Sequence, residues 1–163
     1  MSQKTATIVG AGLVGSLWAV YLSKAGYKVT IVERRPDIRK AEISAGKSIN
    51  LALSDRGWKA LDAVGIGDEV RKIAIAMPGR IMHDLKGNLS YQPYGKEGQA
   101  IYSVSRGGLN ARMMSIAEEV GNAEIFYNER CTDVDLTKGV VHTEHSETGV
   151  KKTYHSDVVF AAD

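Results

Sequence analysis

One cysteine, three prolines and two phenylalanines are all that 163 residues supply of those types. The lone Cys131 excludes an internal disulfide framework and any cysteine-based metal cluster, which makes a reducing cytoplasm the default setting. Charge of one sign is also scarce. Lys and Arg number 21 against 19 Asp and Glu, and the formal +2 is too small to imply nucleic acid or an anionic membrane as partner. No apolar stretch reaches the ~18 residues needed to cross a bilayer, apart from one that glycines interrupt. That stretch, Thr5 to Leu22, carries no charge and follows Lys4, the flank of a signal peptide or anchor. Its glycines, a Trp-Ala-Val-Tyr segment where a small-residue cleavage site would stand, and the single basic residue before it argue against that reading. Repeats and low-complexity tracts are absent. An apolar fraction of 44% and a charged fraction of 25% are ordinary for a globular chain of this length, enough for one sizeable core.

What is present is concentrated in the first thirty-odd residues. Thr5-Ala6-Thr7-Ile8-Val9 is short, β-branched and stops at a glycine, the pattern of a buried parallel strand. In the Gly10, Gly12, Gly15 set that follows, Gly10 permits a tight turn and Gly12 lets the backbone approach a pyrophosphate. Gly15 lets the next helix lie close on the strand. That helix has Leu13, Leu17, Val20 and Tyr21 at helical spacing, and Gly26 stands where a C-terminal stop belongs. Its N-terminus offers free N–H groups and the positive end of a dipole to phosphate. A second strand, Lys28 to Val32, ends at Glu33, 18 residues beyond Gly15, where a carboxylate can accept hydrogen bonds from a ribose. Strand, turn, helix, strand and terminal acid in order are a strong sign of a dinucleotide-binding βαβ unit. Glu33 would repel a 2′-phosphate, which leaves FAD or NAD as the nucleotide. Arg34 and Arg35 follow it directly and can reach an adenosine or its phosphate, whereas Arg39 and Lys40 read as members of a solvated loop running to about Lys47.

Beyond that loop, Ser48 to Leu53 reads as a strand with Ser54 as N-cap, then a helix from Asp55 to Val64 and a short one from Gly67 to Ile73. Arg80–Leu85 and Leu89–Gln92 flank Lys86-Gly87-Asn88 as a hairpin. Gln99 to Val104 is a further strand. Ser105 caps a helix from about Gly108 to Val120, with Leu109, Met113, Ile116, Ala117 and Val120 as its buried stripe. Short strands follow at Ile125–Tyr127, Cys131–Leu136, Gly139–Glu144 and Lys151–His155, the last three a meander. The closing run from Asp157 to Ala162 is apolar on both faces, as a strand returning to the buried parallel sheet would be. His142 and His145, three apart on a strand, point to opposite faces and do not share a metal ion. Spacing reveals no nucleophile triad and no carboxylate pair.

Taken together, Gly10 to Gly15, Glu33, the phrase Ser48-Ile49-Asn50-Leu51-Ala52-Leu53-Ser54 with Arg56-Gly57, Gly79-Arg80, Pro93-Tyr94-Gly95 and Ser103-Val104-Ser105-Arg106 resemble the kynurenine 3-monooxygenase family. These are FAD-dependent aromatic hydroxylases of the para-hydroxybenzoate hydroxylase fold. The resemblance runs from about Thr5 to Asp163. It implies an α/β fold: a Rossmann-like FAD-binding βαβ domain over 1–163 with a β-meander, and the start of a substrate-domain sheet at about 78–104. It also implies that Gly10, Gly12, Val14 and Gly15 hold the FAD pyrophosphate, that Glu33 takes the adenosine ribose with Arg35 nearby, and that Ala52 and Arg106 lie against FAD. Arg80 and Tyr94 match the substrate-binding positions of that family, a guanidinium suited to an amino-acid carboxylate and a phenol able to add a hydrogen bond.

The activity so implied is hydroxylation of L-kynurenine to 3-hydroxykynurenine in tryptophan degradation, with NADPH as co-substrate, O2 as oxidant and no side chain acting as nucleophile. Asp163 falls where the family continues with glycine in an Asp-Gly motif that contacts flavin and NADPH. The expectation is therefore an N-terminal portion of a longer protein, which by itself would bind FAD weakly and catalyse nothing. Two other readings stay open on the residues alone: an NAD(P)-dependent dehydrogenase, and a non-catalytic dinucleotide-binding module.

Overall fold

Residues 3–40 and 49–163 are described by the structure, a computed structural model. The chain begins as expected. Strand β1 (Thr5–Val9) leads through the glycine turn into helix α1 (Leu13–Lys24) and strand β2 (Lys28–Val32). The buried face of α1 is made by small residues, Gly15, Ser16 and Ala19, together with Val20 and Leu22, while Leu13, Leu17 and Tyr21 are partly covered. A helix pressed onto a strand has no room for bulk at the contact, so its largest apolar side chains sit at the margins. The helix closes with Gly26 in the left-handed region (φ +89°). The Tyr27 N–H donates to Leu22 O and the Gly26 N–H to Ser23 O, the paired bonds that satisfy the last carbonyls.

The middle of the chain runs β3 (Asn50–Leu53), α2 (Asp55–Ala63), α3 (Gly67–Arg71), β4 (Ile75–Met77), β5 (Gly79–His83), β6 (Leu89–Pro93) and β7 (Ile101–Ser105). Ser48, the expected start of β3, and positions 41–47 lie outside the described residues. Strand β4 was not foreseen. Its three residues are too short to show a period and are recognisable only through their antiparallel pairing with β7. Strand β7 starts at Ile101, because Gln99 is used in a turn, where its side-chain Oε1 accepts the Lys96 N–H.

The last part comprises α4 (Arg106–Glu119), β8 (Glu124–Phe126), β9 (Glu129–Asp135), β10 (Val140–His145), β11 (Lys151–His155) and β12 (Val158–Ala161). Ser105 Oγ accepts the Gly108 N–H at 3.2 Å, as a cap should. Leu109, Met113, Ile116 and Ala117 are buried as expected. Val120, assigned to the same stripe, is exposed because α4 stops one residue before it, and Met114 is buried instead.

The chain divides into two units, 1–44 with 110–163, and 45–109. In the first, β12, β1, β2 and β8 form a parallel sheet in that order, so the closing strand does return beside the opening one, with Ile8 opposite both Phe160 and Ile31. Asp157 fixes the entry to β12 by accepting from the Thr5 N–H and hydroxyl. Strands β9, β10 and β11 make the expected antiparallel meander, with an irregularity between His142 and Thr143. Arg39, expected in a solvated loop, is largely covered and bound to Asp37 and Glu118, while Lys40 is exposed as foreseen. In the second unit, β3, β7 and β4 form one antiparallel sheet, and β5 with β6 forms a separate two-stranded ribbon.

Candidate dinucleotide site

The three glycines of the first turn are needed for three different reasons. Gly10 has φ +101°, a conformation that side chains rarely adopt, and a Cβ there would lie 3.0 Å from the backbone of Ala162 and Asp163. At Gly15 a Cβ would stand 2.0 Å from Gly10 O, so any side chain would push α1 off the turn. Gly12 differs, with an ordinary extended backbone (φ −71°, ψ −175°) where an added Cβ would meet only Ala162 O, at 3.9 Å. Nothing within the protein requires glycine at that point. The space a side chain would fill is free for a ligand atom, at the start of a helix whose first turn carries no acidic residue. The first helical bond is the Ser16 N–H to Gly12 O, so the N–H groups of Leu13, Val14 and Gly15 precede the internal ladder. A dinucleotide pyrophosphate fits such a cradle in shape and in charge. Val14, 69% exposed, stands on that first turn, and the end of β12 brings Asp163 to the same turn.

Glu33 closes the other side. It is 3% exposed, and its two oxygens already accept four donors. Oε2 takes the Ala11 N–H at 2.8 Å and Arg35 Nη2 at 3.2 Å, and Oε1 takes the Arg35 N–H at 2.9 Å and Arg35 Nε at 2.8 Å. Burial alone would raise its pKa, but the bonds from the Arg35 side chain, the Arg35 N–H and the Ala11 N–H outweigh it and hold the carboxyl below its ordinary value. The acid is thus kept ionised and rigidly aimed. Because Arg35 is about half exposed, its guanidinium can move aside when another donor claims the carboxylate.

The remaining expected residues belong to the second unit. Ala52 pairs with Ser103, and Asn50 with Ser105, so these small side chains share one face of the sheet, and Ala52 is exposed there. Opposite, Leu51 and Leu53 face the side of buried Val104 and of Tyr102, whose ring meets Trp58 edge-on at 5.0 Å. Arg106 is exposed at the first position of α4, its N–H donating to Ile49 O. In the ribbon, Arg80 pairs with Gln92, and the Tyr94 N–H donates to Pro78 O. Arg80 and Gln92 are directly opposite and so share one face of the ribbon, and Tyr94 follows immediately after the end of β6. Gln92 Oε1 accepts both Nε (2.8 Å) and Nη2 (2.6 Å) of Arg80, presenting the guanidinium fork as a carboxylate would.

One participant escaped sequence reasoning. The Ala11 N–H, a backbone group, anchors Glu33. It carries no local sequence signal, because it depends on which strands become neighbours. Cys131 on β9 is part-buried, and burial pushes its thiol pKa up. Among the described residues no group of His, Cys, Asp and Glu could hold a metal ion, and no helix is long and apolar enough to cross a membrane.

Comparison with known proteins adds an independent line. The model of a family described as FAD binding domain matches residues 3–163. The chain is 52% identical over 96% of its length to a kynurenine 3-monooxygenase of Flavobacterium johnsoniae, and 48% identical over 99% to one of Christiangramia forsetii. It covers 34% and 36% of those proteins, about a third of the length of the curated relatives it matches. Among solved structures, p-nitrophenol 4-monooxygenase PnpA from Pseudomonas putida superposes on 98% of this chain with a TM-score of 0.76 at 23% identity, the chain covering 41% of it. The flavin-dependent monooxygenase PieE, solved with FAD and substrate, matches 99% at a TM-score of 0.78 and 18% identity, with 30% of its own length covered. At those identities the structural likeness establishes the fold alone: an α/β architecture built on a parallel sheet.

Proposed function

The chain belongs to the FAD-binding domain family, and from that membership we propose that it forms the cofactor-binding part of a flavin-dependent monooxygenase hydroxylating L-kynurenine. The observation that carries the reading is near-complete coverage of this chain by kynurenine 3-monooxygenases at about half identity. L-kynurenine, NADPH, O2 and a proton would give 3-hydroxykynurenine, NADP+ and water. Bound FAD supplies the redox chemistry of that conversion.

The chain's own residues bind and orient. The glycine turn, with Gly10, Gly12, Val14 and Gly15, would receive the pyrophosphate on unpaired N–H groups, and Asp163 would border it. Glu33 would accept from the ribose, with Arg35 moving to the adenosine. Ala52 and Arg106 would lie along the flavin. Arg80 would exchange Gln92 for the substrate carboxylate in a two-bond grip, and the Tyr94 phenol would add a hydrogen bond. In this reading the ribbon and its neighbours, about 78–104, begin a substrate-binding sheet, and the protein works in the cytoplasm, in keeping with a lone free Cys131.

The test uses the complete reading frame that contains this chain, purified and supplied with FAD. NADPH oxidation is followed with and without L-kynurenine while the product is identified. Stimulation accompanied by 3-hydroxykynurenine supports the proposal. A protein that holds no flavin and does not respond to kynurenine overturns it.

A further inference from the structure

We propose that Arg39 is a positioning residue for the adenosine half of the cofactor site, holding in register the segment after β2 that carries Glu33 and Arg35. The inference rests on the reading of Glu33 and Arg35 as adenosine contacts and adds what keeps them in place.

The segment is fastened at several points. At its start, main-chain bonds tie it to the link between β8 and β9: the Asn128 N–H donates to Arg35 O at 3.1 Å and the Glu129 N–H to Glu33 O at 2.9 Å. The Ser146 hydroxyl donates to Arg34 O at 3.1 Å, and farther on the fastening side chain is Arg39. Its Nε and Nη2 grip both oxygens of Asp37, at 2.8 and 2.9 Å, and its Nη2 also donates to the Tyr127 hydroxyl at 2.7 Å. Nη1 reaches Glu118 and Ser115 on α4, and the guanidinium lies over the Tyr127 ring at 5.8 Å. One side chain thus joins the segment to α4 and to Tyr127, which directly precedes the Asn128 that binds Arg35 O.

Charge gives the clamp a specific consequence. Glu33, Asp37 and Glu118 are three carboxylates on or against this segment, served by two guanidiniums, Arg35 and Arg39. Asp37 is 8% exposed, so without Arg39 it becomes a buried charge without its cation. Of the two guanidiniums that serve these carboxylates only Arg35 is then left, drawn toward Asp37 and away from the adenosine. Lysine cannot replace Arg39, because one ammonium cannot span Asp37, Glu118, Ser115 and Tyr127 with a fixed fork.

The full reading frame carrying R39A, R39K or Y127F is titrated with FAD, ADP and FMN, and thermal midpoints are taken without ligand. If wild type fails to bind FAD, the functional reading falls and the role assigned here falls with it. Given wild-type binding, R39A should weaken FAD and ADP together by about tenfold to a hundredfold, as loss of a supporting contact behind a ligand-binding group does elsewhere. FMN, which has no adenosine, should bind as it does to wild type. Y127F removes a single partner, keeps the fold intact, and should show the same selectivity to a smaller degree. R39K should resemble R39A more than wild type. Equal loss of all three ligands in R39A and Y127F, or unchanged ADP affinity in both, overturns the proposal.

Discussion

The glycine turn of the first unit and the β5–β6 ribbon of the second put function on opposite kinds of support. At the turn, the groups offered to a ligand are backbone N–H atoms, set by strands whose Ile8, Val29 and Ile31 are essentially without solvent contact. In the ribbon, nearly every residue of both strands is exposed, including Ile81 at 63%, Tyr91 at 60% and Leu89 at 65% on the face opposite Arg80. A two-stranded ribbon is marginal on its own, so its candidate substrate-binding side chains gain little from local packing. Substitutions in the turn should therefore damage cofactor binding, and at Gly10 and Gly15 the fold as well. Substitutions in the ribbon should alter substrate recognition and leave the rest intact.

Gly15→Val gives the sharpest form of that contrast. With the new Cβ 2.0 Å from Gly10 O, α1 cannot stay on the turn, and relaxation has to move backbone, not a flexible side chain. A loss of more than about 4 kcal/mol is expected, enough to remove folded protein at 37 °C. Circular dichroism and flavin content after purification are the readouts, and a near-wild-type melting midpoint would break the packing account.

Gly12→Ala separates the two duties of the turn. Its backbone is already in a region alanine prefers, so the ligand-free protein should keep its stability or gain about 0.4–1 kcal/mol through a stiffer unfolded chain. FAD affinity should nevertheless fall by about tenfold to a hundredfold, because the methyl occupies the approach of the pyrophosphate; each tenfold is about 1.4 kcal/mol. Thermal melts paired with flavin titration decide it. Unchanged affinity would mean that Gly12 faces nothing.

These expectations also show which parts of the molecule could be read from the chain. Strands β1 and β2, α1 and the terminal Glu33 were legible because hydrophobic period and glycine position are local, and the return of β12 was legible from its two-sided apolar run. The small-residue face of α1 was not legible, because close packing favours small residues over large ones, which periodicity ignores. Strand β4 was missed for want of length. Arg39 was misplaced because its partners Ser115, Glu118 and Tyr127 lie more than seventy residues away, and no spacing rule links them. In the candidate site, the Ala11 N–H that donates to Glu33 depends on strand order. Sequence shows that order only once the strands have been paired.

Arg80→Gln carries the comparison to its mildest effect. Arg80 is exposed and its partner is the neutral Gln92, so its loss should change stability by no more than about 0.5 kcal/mol. Glutamine keeps a polar group but loses the charge and the two-donor fork. A charge-assisted contact is worth about 1.5–3 kcal/mol, which predicts KM for L-kynurenine raised by about tenfold to a hundredfold, with FAD affinity as in wild type. Steady-state kinetics together with flavin titration make the check. If Arg80→Gln instead lowers FAD affinity or the melting midpoint, the ribbon is part of the scaffold. The division between a backbone-built cofactor turn and a side-chain-built substrate face would then not hold.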